Sequence, residues 1–514
     1  MKKSDKCMVS FAVIYITLPI IMFLFGWIKF PIALAVSLLL VFMAVSVIKN
    51  IETDDEITIR ENAGFWLFSL VVIAVWTLFS GIGNFSYQTG DYVVRNPMFR
   101  DLGTYNWPVI YDLSIQPDIV KNYTGNAQSA MYAYYFTWWL PAALIAKVLY
   151  FLGVETFRVE MAANSALYLW AVLGLYLTFY CLVRYLKRYS YWILSGFILF
   201  GGLDFPAFLI KEMRIPVNGH IEWWTGVGYF QYSANTTQLY WVFNQSISVW
   251  LIVAVLLLLR NNKTQAGWAS LCVAYSPFAT IGMVPIALVA ILHKGGNKLK
   301  DRIRNAISVE NTLIPMAMAV VFGLFYFLQL SAGDINGGWV FKANPEFKTF
   351  TIYVVFIIVE FLVYFYVMGK TAGKYKFYAV TLIELLLFPL YKSGMNNDFT
   401  MRASVPALFI LMVMCLQYVF EMETAGQKKR RKAMLICLLI GYLTSCVEIQ
   451  RNVSNTIKIS QQDYINEEVY SFGCMQTESE RQILININQY MVLEDELKAS
   501  LFYKYLLKQS DRYN

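Results

Sequence analysis

Two short segments place acids and arginines at spacings suited to an anionic ligand. The first reads Gly90-Asp91-Tyr92-Val93-Val94-Arg95-Asn96-Pro97-Met98-Phe99-Arg100-Asp101. A carboxylate beside two arginines can take a proton from a hydroxyl while the guanidinium groups hold a phosphate. Asn96-Pro97 has the form of a helix cap followed by the first helical residue. Asp91 then precedes the helix in extended chain, as the candidate general base. Asp101 falls in the first turn, where a carboxylate is favoured whatever the function. The plainer alternative is that Asp91 and Asp101 only pair with Arg95 and Arg100 on a wet loop. The second segment, Met395-Asn396-Asn397-Asp398-Phe399-Thr400-Met401-Arg402, opens a helix whose first turn Asp398 could cap. Arg402 would lie just inside a membrane interface, facing a cavity or a partner; pairing with Asp398 is its plainer use.

A third segment, His220-Ile221-Glu222-Trp223-Trp224, carries one of only two histidines in the chain. With Asp204 nearby, His220 and Glu222 could ligate a divalent cation or bind phosphate. An aromatic interface belt accounts for the tryptophans equally well, and the faces of Trp and Tyr also stack on sugars. Beyond that cation no cofactor is implied: the seven cysteines show no metal-like spacing and mostly sit in apolar runs.

The elements that position these residues are set by composition. Of 514 residues 58% are hydrophobic and only 15% charged, against about 25% charged in an ordinary globular domain. Apolar runs of roughly 20 residues, long enough for a hydrocarbon core of ~30 Å, recur along almost the whole chain. A soluble core has no room for so many, which predicts an all-α, polytopic transmembrane bundle of about 13 helices with extracytoplasmic loops and juxtamembrane helices. The first run, 9–27, lacks a small-residue cleavage site and reads as a retained helix. The net charge of +8 concentrates in short loops, which speaks for topology and against nucleic acid.

Placing every basic loop in the cytoplasm sets the N-terminus there and organises the rest. Residues 1–62 form two N-terminal helices, 63–448 a transmembrane module with outer loops 83–160 and 204–240, and 449–514 an outer tail with helical periodicity near 483–508. Residues 132–151 are expected on the outer surface as an interfacial helix, their tyrosines and tryptophans in the belt. Otherwise Arg184, Lys187 and Arg188 would end outside. The run 267–292 has basic flanks at both ends and is expected to turn back at Tyr275-Ser276-Pro277, with Ser276 at its tip.

This order of features resembles the GT-C superfamily of polytopic glycosyltransferases, in particular its aminoarabinose-transferase and protein O-mannosyltransferase branch. A transmembrane helix leads into an outer loop with an early acid, Asp91. The loop reaches Trp107-Pro108 and ends in a surface helix, Pro141 to Leu152, closing on Gly153. The short hairpin at Ser276-Pro277 follows. The chain departs from the pattern in its single acid at Asp91, in Ser276 where a lysine is common, and in two extra N-terminal helices. The resemblance implies an inverting transfer of a sugar from a polyprenyl phosphate, in a cell membrane, to a glycan or other envelope acceptor outside. Asp91 would be the base, with Arg95, Arg100, His220, Glu222, Trp223, Ser276, Asp398 and Arg402 as the donor-phosphate and substrate set. A lipid or polysaccharide flippase is the alternative.

Overall fold

Wherever some twenty residues run without a charge, the chain is helical. The computed structural model describes residues 3–51, 57, 60–113, 127–222, 230–293, 298–332, 337–394, 397–460 and 490–509. Lys3–Trp27 (α1) and Phe30–Asn50 (α2) pair, and Ala63–Leu78 (α3) leads into Tyr92–Thr104 (α4). Leu140–Phe151 (α5) precedes the long Thr156–Leu186 (α6). Tyr191–Leu199 (α7) and Asp204–Glu212 (α8) are halves of one apolar stretch, bent by 46°. Then come Asn235–Leu258 (α9), Gln265–Ser270 (α10), Pro277–Leu292 (α11), Leu299–Ala306 (α12) and Val309–Ala332 (α13). Phe347–Ile357 (α14) continues through a π-turn into Val363–Met368 (α15). Tyr378–Leu387 (α16), Asp398–Ala403 (α17), Val405–Thr424 (α18), Lys428–Ser460 (α19) and Glu494–Ala499 (α20) complete the series.

Among the described residues, eight helices are long and apolar enough to cross a membrane, nine if α7 and α8 make one span. Four shorter apolar helices accompany them. α9 and α18 form the centre, with 89% and 83% of their apolar windows buried, whereas α2 has only 33%. Phe30, Leu38 and Leu67 stay more than 60% exposed on the outer helices, a stripe that lipid, not water, accommodates.

The bundle has two distinct ends. At one, Glu423 on α18 accepts from Arg188 (2.5 Å) and Arg431 (3.0 Å), and Lys374 pairs with Glu421. The 49–51 and 260–264 turns meet there through Asn50, Asn261 and Thr264, so the basic loops gather on one side. At the other end lie α4, α5 and a small antiparallel sheet. It is built from Ile110–Asp112 (β1), Ser129–Tyr132 (β2) and Met491–Leu493 (β3), in the order β1-β2-β3. Its outer strand comes from the C-terminal tail.

Several expectations change. Residues 132–151 are not one helix: β2 ends at Tyr132, and a 3-10 turn at Thr137–Trp139 precedes the twelve-residue α5. At 1.5 Å per residue α5 is about 18 Å long, too short to span. Tyr132, Tyr134, Tyr135, Trp138 and Trp139 are buried in protein, not displayed in a belt. They pack on α1, α9 and the tail, where each large ring removes more apolar area from water than an interface would. α19 runs to Ser460, twelve residues past the expected end of the membrane module. Of the helix expected near 483–508, the described residues show α20 and a π-helical turn at Phe502–Leu506, while Met491–Leu493 is instead β3, because β2 offers an open edge to pair with. The hairpin is present as expected, α10 turning at Tyr275 and Ser276 into α11.

Candidate functional site

α4 begins at Tyr92, five residues before Pro97, with Asp91 in the N-cap position. Pro97 is therefore inside the helix, where the lost hydrogen bond and ring clash cost ~3 kcal/mol. One face of α4 offsets this by burying Tyr92, Arg95, Met98 and Leu102, at ~1.5–3 kcal/mol for each large apolar side chain. Tertiary packing thus overrides the Asn96-Pro97 start signal. It also brings Asp91 and Arg95 one turn apart on the same helix edge. The Arg95 Nη2 donates to Asp91 Oδ2 at 2.7 Å, with Arg95 only 5% exposed and Asp91 44%. The Arg95 guanidinium lies over the Phe243 and Tyr92 rings, at 5.4 and 5.8 Å.

The second helix start repeats the arrangement. Asn397, not Asp398, caps α17: its φ of 57° is left-handed, a region Asn tolerates, and its side chain accepts from the Thr400 N–H. Asp398 is left to pair with Arg402 one turn on, at 3.0 Å. Tyr135 bonds to the second start and acts through charge on Arg95 of the first. Its hydroxyl accepts from Arg402 Nη1, and its carbonyl accepts from Asn244 Nδ2 (3.2 Å), on α9 beside Phe243. Tyr134 lies against Tyr135, the rings tilted by 34° with centroids 3.7 Å apart, and Tyr490 from the tail meets Tyr134 edge-on at 5.0 Å.

The charges act on one another as a single cluster. Burial disfavours the Arg402 cation, but Asp398, Tyr135, Tyr134 and Asp91 outweigh it, and its pKa rises. Burial likewise holds the Tyr135 hydroxyl above its ordinary range, against the pull of Arg402. Both arginines keep an N–H in reserve: Arg95 Nη1 and Arg402 Nε are buried with no hydrogen-bond partner. Buried charged donors rarely stay unmatched in a folded protein. Two of them in one cluster, beside a half-exposed carboxylate, form a place suited to an anion.

The other expected residues sit elsewhere. Asp101 lies in the third turn of α4, fully buried, accepting from the Tyr111 hydroxyl (2.9 Å) and paired with Arg100 at 3.3 Å. Arg100 is thus engaged away from Arg95. Ser276 caps α11 and donates to Gln245 Oε1 at 2.8 Å, next along α9 from Asn244. It therefore buttresses the site from behind. His220 faces Glu448 (3.4 Å) and Gln231 (3.4 Å), with its ring 5.8 Å from Trp241. Glu222 points the other way, accepting from the Ala234 N–H (2.9 Å) and the Thr237 hydroxyl (2.8 Å) at the start of α9. Burial, then Asp204, push the Glu222 carboxyl well above the usual carboxylate range. The cation pair expected of His220 and Glu222 is not formed, and no group of three His, Cys, Asp or Glu among the described residues could hold a metal. Trp223 lies outside the described residues. A cleft of about 300 Å³ opens between α10, α11 and α13, but its apolar lining includes none of these side chains.

Sequence reasoning missed Tyr134, Tyr135, Phe243 and Tyr490. Tyr134 and Tyr135 were read as part of an interfacial belt, and nothing local marked Phe243 or Tyr490. No protein-family model, curated protein or solved structure matches the chain.

Proposed function

We propose that the chain is a membrane glycosyltransferase of GT-C type, moving a sugar from polyprenyl phosphate to a cell-envelope glycan or other hydroxyl acceptor. The carrying observation is the charge coupling of Asp91–Arg95 with Asp398–Arg402, Tyr135 bonded to Arg402 between them in the cluster, and one unmatched donor on each arginine. In this reading the donor phosphate takes Arg95 Nη1 and Arg402 Nε. Asp91, the most exposed member, accepts the proton of the acceptor hydroxyl. That oxygen bonds to the anomeric carbon from the face opposite the phosphate, the carbon–oxygen bond to phosphate breaks, and the electron pair leaves on polyprenyl phosphate. The configuration inverts, and the arginines hold the charge that develops. The basic end of the bundle faces the cytoplasm and the Asp91 end faces outside.

The test is turnover of a polyprenyl-phosphate sugar by the purified protein in nanodiscs, read as free polyprenyl phosphate and sugar-labelled acceptor. Asp91→Asn is expected to lower the rate by ~10²–10⁴. Cysteines placed at Lys187 and Lys429 should be labelled only from the cytoplasmic side; labelling from outside breaks the orientation. The flippase alternative draws on the break at Gly201-Gly202 between α7 and α8, where Asp204 and Glu360 are buried within the bundle. Broken helices with buried acids are common in transporters. Sugar-lipid translocation without release of polyprenyl phosphate would favour that reading.

A further inference from the structure

We infer that Tyr490, carried by the C-terminal tail, is a positioning residue of the arginine site. β2 is the middle strand of the three-stranded sheet, and among the described residues its second edge is paired by the tail. The register pairs Ala130 with Leu493, Met131 with Val492 and Tyr132 with Met491. The ladder then continues past both strands: the Ala133 N–H donates to the Tyr490 carbonyl at 3.0 Å. That bond sets the backbone immediately before Tyr134 and Tyr135. The Tyr490 ring closes on Tyr134, Tyr134 lies tilted against Tyr135, and the Tyr135 hydroxyl accepts from Arg402. A contact chain thus runs from the tail to the guanidinium group, through rings that have one well-packed arrangement.

The tail is also held at its far end. The Lys508 N–H donates to the Trp27 carbonyl and the Lys29 N–H to the Leu506 carbonyl, both at 2.8 Å, and Phe502 packs on Phe325 of α13. With both ends fixed, the tail cannot leave Tyr490 free to drift. Tyr490 feels the charges of Arg95, Asp91 and Arg402, so it belongs to the cluster and not merely to the sheet. A cap of the β2 edge alone would need the strand but not this ring.

The inference deepens the proposed function, yet its test does not depend on it. Full-length protein in detergent is treated with phenylglyoxal, which modifies accessible arginines, and each arginine's rate is read by peptide mass spectrometry. Arg95 and Arg402 should react slowly in the natural protein. Tyr490→Ala, which removes the ring contact, should raise both rates roughly two- to tenfold, with the melting temperature unchanged. Tyr490→Phe should match the natural protein. Val492→Pro, which breaks the β3 ladder, should raise both rates at least as far. Arg188 and Arg431 at the opposite end are the reference and should not change. Unchanged rates at Arg95 and Arg402 in Tyr490→Ala would overturn the inference. So would a rise at all four arginines, which reports general loosening. Failure of decaprenyl phosphate to protect Arg95 and Arg402 in the natural protein would count against the phosphate reading and leave the Tyr490 result standing.

Discussion

Asp91→Asn separates a catalytic base from a counter-ion, because the structure assigns Asp91 a measurable share of stability as well. Arg95 is 5% exposed and its Nη2 sits 2.7 Å from Asp91 Oδ2. Breaking a fully buried pair costs ~3–5 kcal/mol, and an exposed one ~0–1 kcal/mol. Asp91 is 44% exposed and can hydrate, so the loss should fall between these limits, about 1–3 kcal/mol. Arg95→Met keeps an apolar stem of similar length and frees Asp91 to water, a milder change. The double variant Asp91→Asn/Arg95→Met should recover part of the loss, giving a coupling of about 1–2 kcal/mol in unfolding measured in mixed micelles. Turnover should not recover. A coupling below ~0.5 kcal/mol would refute the buried-pair argument. Recovered turnover in the double variant would make Asp91 a counter-ion only, and the base would have to be sought elsewhere.

Tyr111→Phe strips the buried Asp101 of a 2.9 Å hydrogen bond; it should cost ~1–3 kcal/mol in unfolding free energy and leave turnover intact. Gly174→Ala would put its Cβ 2.3 Å from the Tyr15 hydroxyl and 2.7 Å from Ile247, at the contact of α1, α6 and α9. An overpacking loss of ~1–3 kcal/mol should lower the melting temperature. Lys147 on α5, beside Trp107, is desolvated, which pulls its pKa down to about 8, whereas an unperturbed lysine titrates near ~10.4. The folded chain therefore binds fewer protons than the unfolded chain between those values, and this group's contribution to stability rises with pH across that window. Acetic anhydride labelling of Lys147 should climb through pH 8, and a labelling midpoint at that of ordinary lysines would refute the desolvation.

What the sequence disclosed follows from how far each constraint reaches along the chain. Lipid sets helix length and composition locally, so the many apolar helices and the hairpin at Ser276 were legible, while the expected bundle of about 13 spans compares with eight or nine helices long enough to cross among the described residues. The acid–arginine content of both segments was legible, but the one-turn spacing of Asp91 and Arg95 was not, because Asp91 was placed in extended chain before the helix and is instead its N-cap. The Asn96-Pro97 start was misread because a local signal worth ~3 kcal/mol lost to burial of a whole helix face, which no window of the sequence reports. Asp101, expected in a first helical turn, lies in the third and accepts from Tyr111, a partner on β1 that no local window pairs with it.

The least legible part was the one that unites the site. β1 and β3 are three residues long and β2 four, too short for alternation to stand out, and β3 pairs with a strand far away in the chain. The sequence does hold a residual signal there. Tyr132, Tyr134 and Tyr135 could not all face lipid from a segment that leaves a strand and turns into α5, since such a backbone sends neighbouring side chains in different directions. Some of those hydroxyls had to be enclosed, and an enclosed tyrosine hydroxyl needs a polar partner. Arg402, an arginine expected at the membrane edge and in need of an acceptor, is the complementary half of that requirement. Matching orphan donors with orphan hydroxyls across segments would have pointed to the Tyr135–Arg402 contact, and with it to the side of the bundle on which the tail must close.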